Sequence, residues 1–360
     1  MKRIGILTGG GDAPGLNAVI RAVVKAGEST YNCQLIGIRH GFEGFLEENG
    51  VLALTNDLVA DILPKGGTIL GAANRGNPFA RRVVRNGKET IEDVSNEVVE
   101  RISELDLHAL IVVGGDGTLG IARDLHNKGV PVVGVPKTID NDVGGTEVTF
   151  GFDTALNIAM EALDRLRTTA ESHHRVMLLE VMGRNAGFIA LHAGVSGGAD
   201  VILIPEVPFS MEPILKRIRA REAIGRHHSI IVVSEGAAPA GGEQIFSRAG
   251  DELSTARLGG VSYKVAGWLE ENAQIETRVT VLGHIQRGGT PTSFDRWLAS
   301  RYGAAALRMA AEGNFGQMLA YQCEQIVAVP LDKALQRPKR VDLQGDAMQT
   351  ARELGIAFGD

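Results

Sequence analysis

Short apolar runs, separated by glycine turns and amphipathic helices, dominate the chain. Residues 4–7 form one such run, and apolar positions recur at helical spacing over residues 16–26. The same order of strand, turn and helix returns over residues 109–128, and residues 130–135 predict the next strand. Because these runs are continuous instead of alternating, they predict parallel strands buried on both faces of a sheet.

The same alternation continues beyond residue 141. A long helix is predicted over about residues 152–169, another begins near residue 186, and a basic helix lies around residues 214–224. Further buried strands are predicted at residues 176–181, 201–204, 230–233 and 279–282. The pattern therefore predicts an α/β protein with two sheets, and it assigns no element beyond residue 330.

Composition narrows the class of protein. The 360 residues carry 37 Lys and Arg against 43 Asp and Glu, a net charge of −6, so no broad cationic face for nucleic acid is expected. Cys33 and Cys323 are too far apart in sequence for a disulfide framework or a clustered zinc site. The first residues are too short for a signal-peptide core, and no apolar run approaches the ~18 residues that span a bilayer. We therefore expect a cytoplasmic protein without a membrane partner.

Two glycine-rich loops each follow a strand and precede a helix. Residues 9–15 read Gly-Gly-Gly-Asp-Ala-Pro-Gly, and residues 114–118 read Gly-Gly-Asp-Gly-Thr. Glycines in this position let backbone N–H groups converge on an anion, although a tight turn alone explains a single loop equally well. The second loop adds the Asp116 carboxylate, a ligand type for Mg²⁺, and the Thr118 hydroxyl, a donor to phosphate. Two such loops predict a polyphosphate held between them.

A third polar segment, residues 136–142, follows the predicted strand at 130–135. It reads Pro-Lys-Thr-Ile-Asp-Asn-Asp and holds two carboxylates, Asp140 and Asp142. One carboxylate can take a proton from an attacking hydroxyl while the other orients it. A plain Asn-Asp turn remains the alternative for the last two residues.

Arginines next to glycines indicate a substrate that carries its own phosphate. Arg75, Arg184 and Arg287 lie in such contexts, and a guanidinium fork suits phosphate oxygens. His284, in the same glycine-flanked segment as Arg287, is a candidate for hydrogen bonding a sugar phosphate. The histidine pairs at 173–174 and 227–228 lack a third ligand at a suitable spacing, so we expect no metal there.

Five segments together resemble the phosphofructokinase family, in the family's order over about residues 3–310. They are Gly-Gly-Asp-Ala-Pro-Gly-Leu-Asn at 10–17, Gly-Gly-Asp-Gly-Thr at 114–118, Thr-Ile-Asp-Asn-Asp at 138–142, Met-Gly-Arg at 182–184 and Leu-Gly-His-Ile-Gln-Arg-Gly-Gly at 282–289. The resemblance implies two three-layer α/β domains with mainly parallel sheets and an active site in the cleft between them. The phosphoryl-donor domain would be residues 1–150 with about 285–336, and the fructose 6-phosphate domain residues 151–284 with about 337–360.

The resemblance also implies a reaction and its residues. The γ-phosphoryl group of ATP would pass to the 1-hydroxyl of fructose 6-phosphate, with Asp140 as the base, Thr138 and Asp142 beside it, and Arg184 stabilising the transferred group. Asp116 would bind Mg²⁺. The donor would lie against Gly11, Arg75, Gly115, Asp116, Gly117, Thr118 and Gly120. The sugar phosphate would contact Thr138, Asp140, Arg175, Met182, Gly183, Arg184, Glu235, Arg278, His284 and Arg287.

Donor selectivity depends on two positions that point in opposite directions. Within the family, Gly117 leaves room for the nucleoside of ATP, whereas Lys137 is typical of pyrophosphate users. A side chain at 117 would occupy nucleotide space, so ATP is the expected donor and pyrophosphate the alternative. Arg175 matches a residue that reaches into a neighbouring subunit's site, which implies a homo-oligomer, a dimer or a tetramer. More remote alternatives are an NAD or lipid kinase, which also carry a Gly-Gly-Asp-Gly-Thr loop, and a sugar-phosphate sensor without turnover.

Overall fold

The computed structural model describes residues 1–73, 76–85, 88–248 and 257–360. The chain forms two compact units, each assembled from segments that are distant in sequence. The first unit comprises Met1–Ile139, Val143–Thr154 and Arg287–Pro338. The second comprises Asp140–Asp142, Ala155–Gln286 and Lys339–Asp360.

The regular elements of the described residues follow in chain order. The strands are β1 (Arg3–Thr8), β2 (Gln34–Ile38), β3 (Val51–Leu54), β4 (Arg81–Arg85), β5 (Lys88–Glu92), β6 (Ala109–Gly114), β7 (Val132–Pro136), β8 (Val176–Val181), β9 (Val201–Leu203), β10 (Ser229–Ser234), β11 (Phe246–Arg248), β12 (Arg257–Leu258), β13 (Thr277–Val281), β14 (Gln317–Gln322) and β15 (Gln325–Pro330). The α-helices are α1 (Leu16–Ala26), α2 (Ser95–Glu104), α3 (Asp116–Asn127), α4 (Phe152–His173), α5 (Phe188–Ser196), α6 (Met211–Glu222), α7 (Val261–Ala273), α8 (Ser293–Glu312), α9 (Leu331–Ala334) and α10 (Asp346–Glu353).

A seven-stranded sheet forms the centre of the first unit, in the order β15-β14-β7-β6-β1-β2-β3. The five inner strands are parallel, and the two edge strands, β3 and β15, are antiparallel to their neighbours. Successive side chains point to opposite faces, so Ile111 and Val113 join one core cluster whereas Leu110 and Val112 join the other. Burial on both faces explains why the strands read as continuous apolar runs.

Helices α1 and α3 cover opposite faces of this sheet. The apolar residues of α1 recur at helical spacing (Leu16, Val19, Ile20, Val23, Val24) and belong to the cluster that holds Ile111. Leu119, Ala122 and Leu125 of α3 belong to the cluster on the other face. The chain therefore leaves the neighbouring strands β1 and β6 in opposite directions, which makes the β1–β6 boundary a topological switch point.

The second unit is built on a four-stranded parallel sheet in the order β13-β8-β10-β9. Helices α6 and α7 pack on one face, where Ile218 and Leu269 join Ile231 in a core cluster. Helix α5 packs on the other face, where its Gly194 contacts Ile202 of β9. The contact is close, since a Cβ at Gly194 would lie 2.4 Å from Ile202 Cδ1. The predicted α/β class with mainly parallel sheets is confirmed.

The C-terminal residues, which the sequence pattern did not assign, belong to the second unit from Lys339 onward. The backbone N–H of Ala357 donates to the Asp200 carbonyl (3.1 Å), and the N–H of Ile202 donates to the Ala357 carbonyl (2.9 Å). This pairing continues the sheet beside β9. Across the described residues, the helices fall short of the length and apolar character that crossing a bilayer requires.

Candidate active site

The first glycine-rich loop needs glycine at two positions for conformational reasons. Gly10 (φ +73°) and Gly15 (φ +106°) adopt backbone conformations that L side chains rarely populate, and Gly15 immediately precedes α1. The N–H of Gly9 donates to the Val113 carbonyl (2.9 Å), which ties the loop to the end of β6. The loop therefore turns sharply from β1 into the helix with its backbone beside the neighbouring strand.

Thr118 joins the two glycine-rich loops. A Cβ at Gly9 would lie 2.5 Å from Thr118 Cγ2, and one at Gly114 would lie 2.3 Å from Thr118 Cβ. Thr118 itself is buried, in the first turn of α3. The loops that follow β1 and β6 thus meet at the switch point of the sheet, where open α/β sheets bind ligands.

Lys137 brings a positive charge to the same place. The residue is only 3% exposed, its Nζ hydrogen bonds to the Gly11 carbonyl, and its backbone N–H donates to Gly114 O (2.9 Å). A buried ammonium is costly unless negative or polar groups compensate it. The Gly11 carbonyl supplies part of that compensation, and the positive charge between the two glycine-rich loops suits an anionic ligand.

Open space remains on the outer side of these loops. A Cβ at Gly117 or Gly120 would meet no atom within 4 Å. A neighbouring cavity of about 270 Å³ is lined by Gly10, Gly11, Asp12, Gly67, Thr68, Gly71 and Ala72. Asp116 is the first residue of α3, so its carboxylate lies at the positive end of a helix beside this space.

Arg287 lies at the first glycine-rich loop, within the first unit. Its Nη1 donates to the Asp12 carbonyl (3.1 Å) and would be 2.8 Å from a Cβ at Gly11. The family resemblance implied a contact between this residue and the sugar phosphate, and in the structure its guanidinium lies against residues 11 and 12. Arg75, another predicted donor contact, lies outside the described residues.

The acidic segment, residues 138–142, begins just after β7. Thr138 is partly buried, and its carbonyl accepts a hydrogen bond from the Thr149 hydroxyl (2.8 Å). Asn141 is buried and has a positive φ of 54°, a conformation that Asn tolerates better than most residues. Asp140 and Asp142 flank it and are both partly exposed, although the Oδ1 atom of Asp140 is itself buried.

A buried aspartate, Asp295, anchors the start of α4 at residues 151–154. The Asp295 carboxylate accepts hydrogen bonds from the Gly151 N–H (2.9 Å), the Thr154 N–H (2.8 Å) and the Thr154 hydroxyl (2.5 Å). The residue is fully buried in α8. Loss of solvent is the main reason that the pKa of Asp295 rises to about 6, against the lowering effect of these hydrogen bonds.

In the second unit, the loop after β8 is held by side chains from other segments. The N–H of Met182 donates to Gln286 Oε1 (2.7 Å), and the Ser234 hydroxyl donates to the Gly183 carbonyl (2.6 Å). Gly183 has a φ of +133°, where a side chain would also collide with Ser234. Gln244 Nε2 donates to the Arg184 carbonyl (2.9 Å), so the backbone of Met182–Arg184 is fixed on both sides.

Several predicted sugar contacts share one edge of the second sheet. Met182, Gly183 and Arg184 follow β8, Glu235 follows β10, and His284 lies just beyond β13. These three strands are neighbours and run in parallel, so their carboxyl ends lie at the same edge. The Glu235 N–H donates to the Val181 carbonyl (2.9 Å). The structure thus brings these five residues together.

Arg175 and Arg278 lie at the opposite edge of that sheet. Arg175 precedes β8, and Arg278, the second residue of β13, pairs with Met177 at the start of β8. Each guanidinium is 2.7 Å from Glu276 Oε1, and the hydrogen bond from Arg175 is the main reason that the pKa of this carboxyl is lowered. These two arginines are therefore not brought together with the Met182–Arg184 loop of their own unit.

The residues that shape the site without touching its open side were missed by sequence reasoning. Gln286 is fully buried between Met182 and Ala155, and Asn17 binds the backbone of residues 65–69 through both ends of its amide. Gln286 lies within the 282–289 segment and Asn17 within the 10–17 segment, so the motifs contained both residues. Their partners are distant in sequence, which no local pattern indicates.

The side chains in the described part of the chain do not form a metal site by themselves. Among the described residues, no group of three or more His, Cys, Asp or Glu side chains is arranged to hold a metal ion. Mg²⁺ commonly binds through one or two carboxylates together with phosphate oxygens of the substrate and water. Asp116, beside the open space at Gly117, fits that mode of binding.

Comparisons with known proteins identify the family of this chain. The family model described as phosphofructokinase matches residues 3–310. An ATP-dependent 6-phosphofructokinase of Chloroflexus aurantiacus is 53% identical, covering 100% of this chain and 98% of that protein. A pyrophosphate–fructose 6-phosphate 1-phosphotransferase of Streptomyces coelicolor is 47% identical, covering 99% and 100%.

A solved structure supports the fold independently. Phosphofructokinase from Saccharomyces cerevisiae matches with a TM-score of 0.78 at 29% identity, covering 99% of this chain and 47% of that one. The present chain thus spans just under half the length of the yeast chain. The predicted resemblance is confirmed, and the chain belongs to the phosphofructokinase family.

Proposed function

We propose that the protein transfers the γ-phosphoryl group of ATP to the 1-hydroxyl of fructose 6-phosphate, yielding fructose 1,6-bisphosphate and ADP, a step of glycolysis. The observation that carries the proposal is the meeting of two glycine-rich loops and buried Lys137 at the switch point, beside open space at Gly117. The printed name of the 53% identical relative, ATP-dependent 6-phosphofructokinase, supports the same reaction.

In the proposed mechanism the Asp140 carboxylate accepts the proton of the 1-hydroxyl as the sugar oxygen attacks phosphorus. The new bond joins that oxygen to the γ-phosphorus, and the bond to the bridging oxygen of ADP breaks. Thr138 and Asp142 lie beside the base in the acidic segment and orient the hydroxyl. Positioning and charge neutralisation, more than covalent chemistry, supply the acceleration.

Arg184 and Asp116 are the residues proposed to neutralise charge on the transferring phosphoryl group, Arg184 directly and Asp116 by holding Mg²⁺. Arg184 is partly buried, and hydrogen bonds from Ser234 and Gln244 fix the backbone of residues 183 and 184. Its guanidinium is therefore held ready to neutralise phosphoryl oxygens. Asp116 would hold Mg²⁺, which when bound neutralises charge on the phosphate oxygens of the donor. Met182, Gly183, Glu235 and His284 are the proposed contacts of the sugar phosphate, at the same sheet edge as Arg184.

The division of labour between the units is part of the proposal. Residues 1–150 with about 285–336 would bind the phosphoryl donor, because Gly11, Gly115, Gly117, Thr118 and Gly120 belong to the first unit. Residues 151–284 with about 337–360 would bind fructose 6-phosphate, because the Met182–Arg184 loop and Glu235 belong to the second. Arg287, at Gly11 and Asp12, is proposed to bind phosphate from the side of the first loop.

Pyrophosphate is the second candidate donor, and Lys137 is the observation that favours it. The 47% identical relative is named for pyrophosphate, and a buried ammonium suits either donor. However, the Lys137 side chain already supports the first loop through the Gly11 carbonyl, a role that does not depend on the donor. The open space at Gly117 therefore carries more weight, since only a nucleotide requires it.

We also propose that the protein works as a homo-oligomer. Arg175 and Arg278 share Glu276 at the sheet edge opposite the Met182–Arg184 loop, so within one unit they cannot serve the sugar bound at that loop. They would contact the 6-phosphate only if a second copy presents this edge to the site. This need for a second copy supports at least a dimer.

One assay separates the two donors. The purified protein is given fructose 6-phosphate and Mg²⁺ with either ATP or pyrophosphate, and formation of fructose 1,6-bisphosphate is followed by a coupled reaction. The proposal expects kcat/KM to be at least about 100-fold higher with ATP, a difference of roughly 2.7 kcal/mol in transition-state free energy. A preference for pyrophosphate would reverse the donor assignment, and turnover of NAD⁺ or diacylglycerol in place of the sugar would overturn the acceptor.

A further inference from the structure

The segment that follows Pro338 contacts the acidic segment directly. Within the second unit, the backbone N–H of Lys339 donates to the backbone carbonyl of Asp142 (2.8 Å). Two residues later, the N–H of Val341 donates to Glu206 Oε1 (3.0 Å). Val341 is itself only 6% exposed. Backbone donors thus fix both ends of this short stretch.

Glu206 extends the connection to the loop that carries Arg184. Both of its carboxylate oxygens accept from the Gly187 N–H, each at 3.1 Å. Gly187 lies three residues after Arg184 and immediately precedes α5. A Cβ at Gly187 would lie 2.4 Å from Ile204 and 3.0 Å from Glu206 Oε2, so this contact is closely packed. One carboxylate therefore links the C-terminal stretch to the turn beyond Arg184.

The Lys339 side chain reinforces the same link. Its ammonium lies 5.0 Å from the centroid of the Phe188 ring, within the range of a cation–π contact. Phe188 is the first residue of α5 and follows Gly187. Lys339 thus contacts the acidic segment through its backbone and the start of α5 through its side chain.

We propose that residues 339–341 together with Glu206 form a positioning strap that sets the acidic segment relative to Arg184. The proposal rests on the proposed function, because it assumes that Asp140 and Arg184 act on one phosphoryl transfer. These are positioning residues, since they touch no reacting atom. A misplacement of the reacting groups by about 1 Å lowers the rate on the order of 100-fold. A small displacement of the acidic segment relative to Arg184 should therefore lower kcat measurably.

Two pairs of variants isolate the strap. Lys339→Pro removes the N–H that Asp142 accepts, whereas Lys339→Ala keeps it and deletes only the side chain. Glu206→Ala leaves the N–H groups of Gly187 and Val341 without their acceptor, whereas Glu206→Gln retains one amide oxygen for both. Gln349→Ala, on the same C-terminal stretch but bonded to Glu353, is the control outside the strap.

The expected result is a loss confined to kcat. Lys339→Pro and Glu206→Ala should lower kcat about 10- to 100-fold, with the KM for ATP within about twofold of wild type, because the donor loops belong to the first unit. Lys339→Ala, which loses only the cation–π contact with Phe188, should lower kcat by no more than about threefold, and Glu206→Gln and the control Gln349→Ala should stay within the same range. A proline variant no slower than its alanine partner would overturn the strap.

Hydrogen exchange tests the strap without relying on activity. Backbone amides of residues 140–143 and 185–188 should exchange faster in Lys339→Pro and Glu206→Ala than in their conservative partners, while α8 keeps its protection. If Glu206→Ala fails to fold, the Lys339 pair decides. If the wild type proves inactive on fructose 6-phosphate, the proposed function fails, yet the exchange pattern still reports the link. Unchanged exchange at both stretches would exclude it.

Discussion

The loop glycines fall into two groups with different physical reasons. Gly9 and Gly114 admit no side chain because Thr118 lies within 2.3–2.5 Å of the position that a Cβ would take. Gly117 and Gly120 face open space, so the protein itself would tolerate a side chain there. The sequence predicted a role in ligand approach for the glycines of both loops. Gly9 and Gly114 are instead required by packing against Thr118, and that distinction depends on contacts that no linear motif contains.

Gly117→Asp tests the open space directly. The Cβ of the new residue would meet no protein atom within 4 Å, and its negative charge would lie in the first turn of α3, where it is favourable, so folding should be preserved. Turnover with ATP should fall by more than about 100-fold, whereas any turnover with pyrophosphate should change much less. Steady-state kinetics with both donors measure this.

Gly267→Asp is a matched control for that variant. Gly267 also has open space around its Cβ position, but it lies in α7 of the second unit. Its substitution should leave both turnover rates within about threefold of wild type. Equal losses with both donors for Gly117→Asp would contradict the steric argument.

The base assignment makes an equally specific prediction. Asp140→Asn keeps the size of the side chain and removes its ability to accept the proton, so kcat should drop about 10²- to 10⁴-fold. Binding of fructose 6-phosphate, measured by calorimetry, should stay within a few-fold of wild type. Near-normal turnover would exclude Asp140 as the base.

At the scale of elements, the sequence predicted those whose pattern is local. Helix α1 has the predicted bounds because its apolar stripe is regular, and β1, β6 and β8 were found as continuous apolar runs. Strand β2 was missed because Gly37 interrupts it, and β15, a short apolar run at the sheet edge with no buried residue, was also not assigned. The tail beyond residue 330 was not assigned, since its stability comes from distant partners such as Asp200 and Glu206.

The contact between α8 and the start of α4 depends on the Asp295 carboxyl group, whose protonation changes with pH. The pKa of Asp295 is raised by burial to about 6, above its ordinary value of 3.8. The folded state therefore binds this proton more tightly than the unfolded chain, and the associated stability is present at low pH and lost as pH rises through 6. Between pH 7 and pH 5 this group alone should add about 1 kcal/mol to the free energy of unfolding.

Asp295→Asn should remove that increment. The quantity to compare is the difference in unfolding free energy between wild type and variant, from urea denaturation at pH 5, 6 and 7. That difference should grow by about 1 kcal/mol toward pH 5, whereas the surface variant Asp124→Asn should show no such growth. A constant difference across this range would show that Asp295 does not titrate there.

At the scale of the whole molecule, the opposite placement of two groups of arginines is the main finding that sequence could not supply. Arg175, Arg184 and Arg278 were all predicted as sugar-phosphate contacts. Strand register places Arg184 at one edge of the second sheet, and Arg175 and Arg278 at the other. A motif shows that an arginine is present but not which end of a strand it lies at, so the resemblance implied a second copy for Arg175 alone, whereas the fold supports the same proposal for Arg278.

Mixing two variants of low activity tests whether the active site includes residues from a second copy. If Arg175 serves the site of a second copy, Arg175→Ala and Asp140→Asn should each have low activity, yet hybrids should contain intact sites. Random assortment across a two-fold interface leaves about a quarter of the sites intact, so the mixture should regain about that share of wild-type activity. Copurification of both variants through a tag carried by only one of them confirms that hybrids form. Activity no greater than that of the separate variants would place Arg175 outside the shared site.

The central claim is transfer of the terminal phosphoryl group of ATP to the sugar hydroxyl, with cleavage of the bond between the γ-phosphorus and the bridging oxygen of ADP. The most direct measurement uses ATP whose terminal phosphate carries heavy oxygen, incubated with the wild-type protein, fructose 6-phosphate and Mg²⁺, with products analysed by phosphorus NMR and mass spectrometry. The account predicts fructose 1,6-bisphosphate in which the three non-bridging oxygens at position 1 are labelled and the bridging oxygen from the sugar is not. Label appearing in free phosphate with no sugar bisphosphate formed would contradict it.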